Sequence, residues 1–177
     1  MALTYVAIAT TTVGSGGAAN IEFTSIPGTY TDLVIKLSGR STASSDWEDM
    51  KISFNNSTTD AQYYWRAVYG YSGSTVGSNQ GNGNSNARLQ GVVSAASATA
   101  NTFGSWEMYV PNYAGSNQKS VSTDFASENN SAATLLGLAT NLWNQTTAIN
   151  RVTLTTSSGS NIAQYSTATL YGIKNTV

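Results

Sequence analysis

The chain has 177 residues, eight basic and nine acidic side chains, a net charge of −1, and neither cysteine nor histidine. That is sparse, because an average domain of this length carries about 44 charged residues. Imidazole acid–base catalysis, a thiol nucleophile, a Ser-His-Asp triad, the usual zinc centres and disulfides are excluded, and near-neutrality argues against electrostatic capture of nucleic acid or a membrane surface.

Period-two alternation dominates the chain. Met1–Thr10 has no positive n-region and alternates apolar residues with Thr and Ala, which predicts a first strand and not a secretion signal. Asn20–Ile26 sets Ile21 and Phe23 against Glu22 and Thr24, and Pro27-Gly28 marks a turn. Tyr30–Leu37 then places Leu33, Ile35 and Leu37 on one face, with Asp32, Val34 and Lys36 on the other. Lys51–Phe54 is a short strand ending at the turn-forming pair Asn55-Asn56.

Gln62–Tyr71 carries Tyr63, Tyr64, Trp65, Tyr69 and Tyr71, a strand with aromatics on both faces. Gly73–Asn86 is nearly pure Gly, Ser and Asn and reads as a long loop. Leu89–Val93, Phe103–Val110 and Ser120–Phe125 are further strands, the second closed by Pro111. Ala132–Trp143 fits either a helix or a buried strand, and Gly137 with the Thr/Asn content favours the strand. Arg151–Thr155 and Gln164–Ile173 complete the set. About ten short strands without a convincing helix predict one domain over 1–177, all-β, an antiparallel two-sheet sandwich of the jelly-roll type.

Chemistry-bearing constellations are few. The run Asp46-Trp47-Glu48-Asp49 offers hard oxygen ligands for Ca²⁺, with Asp60 or backbone carbonyls completing a shell. It lacks EF-hand spacing, and a solvated turn with Trp47 packed inward explains it as well. Glu107, Asp124 and Glu128 are candidates for a glycosidase carboxylate pair, but Glu107 alternates with Trp106 and Met108, as on the wet face of a strand. No catalytic residue, metal site or cofactor is therefore expected. Tyr63, Trp65, Tyr69, Tyr71 and Trp47 are the candidates for an interface or for stacking on a glycan, with core packing as the competing role.

Three stretches carry a family resemblance: Ile21–Leu37 through its Pro27-Gly28 turn, Lys51–Asn55 after the acidic Trp segment, and Tyr165–Ile173. Val110-Pro-Asn-Tyr113 and Thr147–Leu154 support it. Together they resemble small jelly-roll virion structural proteins of tailed bacteriophages, either capsid decoration (cement) proteins or tail-associated components. The resemblance implies a non-enzymatic protein of the virion, assembled in the host cytoplasm. Its implied partners are the major capsid protein or another virion protein and further copies of itself, as a homotrimer. The alternative is a tail fibre or knob module that binds host glycan.

Overall fold

The alternating segments all pair as strands, because in each of them one set of side chains has an apolar surface to bury. The computed structural model describes residues 5–59, 61–71, 73, 75–84, 87–130 and 134–174. Among them are twelve strands and no helix. In chain order these are β1 (Tyr5–Thr12), β2 (Asn20–Phe23), β3 (Asp32–Gly39), β4 (Trp47–Phe54), β5 (Tyr63–Tyr71), β6 (Thr75–Asn84), β7 (Ala87–Ser94), β8 (Gly104–Val110), β9 (Lys119–Ala126), β10 (Leu135–Trp143), β11 (Val152–Thr156) and β12 (Thr167–Ile173). An eight-stranded sheet has the order β1-β12-β3-β8-β9-β10-β5-β6, and a four-stranded sheet has the order β2-β11-β4-β7.

This is a two-sheet sandwich, and its connectivity is informative. The strands β1-β12-β3-β8 and β2-β11-β4-β7 trace the two interlocked Greek keys of a jelly roll. The remaining four are insertions: β5 and β6 fall between β4 and β7, and β9 and β10 between β8 and β11. Both insertions add to the β8 side of the large sheet, which therefore has a jelly-roll half and an inserted half.

The core lies between the sheets. On the small sheet, Ile52, Leu154 and Ile21 form one inward row, and Phe54, Val152 and Phe23 the next. On the large sheet Leu37, Trp106, Phe125, Gly137 and Tyr69 are level with one another. Gly137 is required there: a Cβ would stand 2.4 Å from the Val68 carbonyl oxygen and 2.8 Å from Phe125 Cζ. Phe54, Tyr63 and Trp143 join the inserted half to the small sheet, with Phe54 and Trp143 ring centroids 5.5 Å apart.

Three expectations need correction. Most of Gly73–Asn86 is not a loop, because Thr75–Asn84 forms β6 and pairs with β5. A ladder needs only backbone groups, and an edge strand over solvent does not need apolar side chains. Residues 47–49 are not a turn but the start of β4, so alternation sends Glu48 inward, where its Oε1 accepts the Ser158 N–H at 2.8 Å. Asp60, named as a further calcium ligand, lies outside the described residues. β10 is a strand, as favoured, but only one of its faces is buried.

Candidate functional site

The inserted half of the large sheet has an outer face with its own composition. Alternation on β10 buries Leu135, Ala139, Asn141 and Trp143 and turns Leu136, Leu138, Thr140 and Leu142 outward. The antiparallel register extends each outward residue into a row. Ala126, Leu136, Gly70 and Val76 are level, then Asp124, Leu138, Val68 and Ser78, then Ser122, Thr140, Arg66 and Gln80. Leu136, Leu138, Val68 and Val76 are 54, 59, 55 and 84% exposed, forming one continuous apolar patch. A shallow depression lies beside it, lined by Arg66, Val68, Gln80, Leu138 and Thr140.

The jelly-roll half of the same face is different. There Thr10 shares a hydrogen bond with Thr169 at 3.0 Å and Thr12 with Thr167 at 3.1 Å, side chain to side chain. Lys36 and Glu107 form an ion pair at 2.8 Å, which holds the Lys36 ammonium above its ordinary range. These polar groups are paired within the chain, whereas Leu136, Leu138, Val68 and Val76 on the inserted half are exposed.

The aromatic candidates do not form an outward stripe. Tyr63, Trp65, Tyr69 and Tyr71 share one parity on β5, and that parity faces the small sheet. Tyr63 and Trp65 are buried, and neither can stack on a ligand or a partner while the chain is folded. The Tyr63 hydroxyl donates to the Ser57 carbonyl at 3.1 Å and accepts the Phe54 N–H at 2.9 Å; burial pushes its pKa up to about 12. Tyr69 and Trp47 are partly buried against the core, and Tyr71 remains exposed at the strand end.

Register brings two of the three carboxylate candidates together. Glu107 and Asp124 are opposite one another on β8 and β9, with Glu107 already bonded to Lys36. Glu128 lies apart and accepts the Asn130 N–H at 2.6 Å. Glu107 and Asp124 look onto an open sheet face, without the apolar enclosure that a general-acid carboxyl requires. Among the described residues no three acidic side chains come together as a metal site.

Two charged side chains act as fasteners. The Lys119 ammonium is buried under the 111–117 loop and donates to the carbonyls of Gly115 at 2.7 Å, Asn117, and Thr146 at 3.5 Å, with burial lowering its pKa. The partly buried Arg40 reaches the carbonyls of Ala98, Thr99 and Thr102 at 2.9–3.0 Å.

The patch was not anticipated from the sequence, although a signal for it exists. Leu135-Leu136-Gly137-Leu138 is apolar at both parities, and a strand buried on one face only does not need that. No protein-family model matches the chain, and no curated protein matches it.

Proposed function

We propose that this chain is a non-enzymatic structural protein of a virion, an oligomeric decoration component on the outside of a tailed-phage capsid that binds the major capsid protein or another virion protein. The observation that carries a contact role is the exposed apolar patch of Leu136, Leu138, Val68 and Val76 on a chain rich in Ser, Thr and Asn. Contact surfaces are depleted in charge at their centre, and a shell of crowded copies avoids like-charge repulsion when its members carry few charges. The virion setting rests on the resemblance of Ile21–Leu37, Lys51–Asn55 and Tyr165–Ile173. The alternative, host-glycan binding through Trp65, Tyr69, Tyr71 and the 73–86 segment, is weakened because Trp65 is buried and Tyr69 packs partly against the core.

Mass spectrometry of purified particles, followed by cryo-EM or immunogold localisation, tests this reading. The expected result is many copies per particle, on the shell. Density confined to the tail refutes the capsid placement, and absence from particles refutes the virion role.

A further inference from the structure

We infer that the outer face of the inserted half of the large sheet is covered by the same face of a second copy, about a two-fold axis lying in the contact plane. This rests on the contact role proposed above and names the partner.

The area fits. Four strands at the usual spacing and nine residues at the usual rise make a face of roughly 20 by 30 Å, on the order of 600 Å² before side-chain relief. A specific interface takes about 800 Å² per partner.

Charge selects the occupant. Among the described residues only Arg66 on β5 and Asp124 on β9 project charge outward from β9, β10, β5 and β6. Asp124 is level with Leu138 and Val68, while Arg66 is level with Thr140, one row along and two strands away. Strand spacing and rise put their backbones about 12 Å apart, on opposite sides of Leu138. Within one copy the two therefore do not meet. Among the described residues Arg66 meets neutral acceptors, Nη1 donating to the Trp65 carbonyl at 2.8 Å and to Asn82 Oδ1 at 3.1 Å. Asp124 faces Glu107, a like charge already engaged by Lys36.

A two-fold axis through the midpoint of the line from Arg66 to Asp124, perpendicular to that line, superposes Arg66 of one copy on Asp124 of the partner subunit, twice. The same operation lays Val68 over Leu138 of the partner subunit. One symmetry element thus pairs both charges and buries the centre of the patch, which is what an isologous contact requires. An unrelated partner has to present an anion and a cation at the same spacing. A three-fold contact joins two different surfaces and leaves this self-complementarity unused.

Size-exclusion chromatography with light scattering and sedimentation equilibrium on the purified full chain test the pairing. A concentration-dependent dimer is expected. Arg66→Asp alone and Asp124→Arg alone each weaken association at least tenfold, and the double swap Arg66→Asp with Asp124→Arg restores it. Leu138→Asp, at an exposed position, gives a monomer whose thermal midpoint stays near that of the unaltered chain. A monomer at the highest concentration, a trimeric mass, or a double swap no better than the singles overturns the pairing. Particle composition reports separately on the virion role: a monomer found on capsids refutes only the pairing, and a dimer absent from particles refutes only the virion placement.

Discussion

Tyr63→Phe isolates the role that the fold assigns to the aromatic strand. The substitution keeps the ring against Phe54 and Trp143 and removes one hydroxyl from a site with no solvent exposure. Two partners are then left without it, the Phe54 N–H and the Ser57 carbonyl. Each buried orphan costs about 1–3 kcal/mol, offset in part because the hydroxyl no longer has to be desolvated, so a net loss of about 2 kcal/mol is expected near neutral pH. At this chain length that lowers the thermal midpoint by roughly 4–8 °C. The pH dependence supplies a second readout. Burial pushes the Tyr63 phenol up to about 12 from its ordinary value of 10, so the folded state favours the neutral phenol. Its contribution is complete below pH 10 and is lost as pH rises through 12, a change of roughly 2–3 kcal/mol. The stability gap between the natural chain and Tyr63→Phe, followed by urea unfolding, should therefore narrow from pH 9 to pH 12. A midpoint within 1 °C of the natural chain, or a gap that stays constant over that range, refutes the reasoning.

The fasteners and the packing give further tests. Lys119→Met should cost about 1–2 kcal/mol at pH 7 by orphaning the loop carbonyls. Burial lowers the Lys119 pKa in the fold, which penalises the protonated form, so the natural chain should gain on this variant as pH climbs toward 10.5; urea midpoints at pH 7 and pH 10 check the sign. Arg40→Ala should cost about 2 kcal/mol through its charge-assisted hydrogen bonds and raise amide hydrogen exchange at residues 98–102 while leaving β10 protected. Gly137→Ala should cost about 2 kcal/mol or more, because the Val68 backbone carbonyl in its way cannot yield without breaking the β10–β5 ladder; an unchanged melting curve would exclude that close approach.

Much of the fold was legible in single strands. The alternation of Ile21/Phe23 and Leu33/Ile35/Leu37 predicted the inward sets that are observed, since residues two apart must share a face. What escaped was information carried by neighbours. Thr75–Asn84 has no apolar alternation to reveal it and is a strand because β5 offers it a free edge of N–H and C=O groups. Glu48 is inward because β4 begins four residues earlier than its apolar run suggests, and the Ser158 N–H is there to receive the carboxylate.

The contact face makes the division sharpest. Parity along β5 was readable from the residues: Tyr63, Trp65, Tyr69 and Tyr71 on one side, Tyr64, Arg66 and Val68 on the other. Which side meets solvent was not, because β5 presents apolar groups at both parities and burial depends on where the small sheet lies. By itself the sequence determined the apolar-patterned strands, their parity and a composition poor in charge. Only the tertiary structure decided that the aromatics face the core and that Leu136, Leu138, Val68 and Val76 form one patch. Four residues from three strands become neighbours through register, and register is set by the pairing of distant segments.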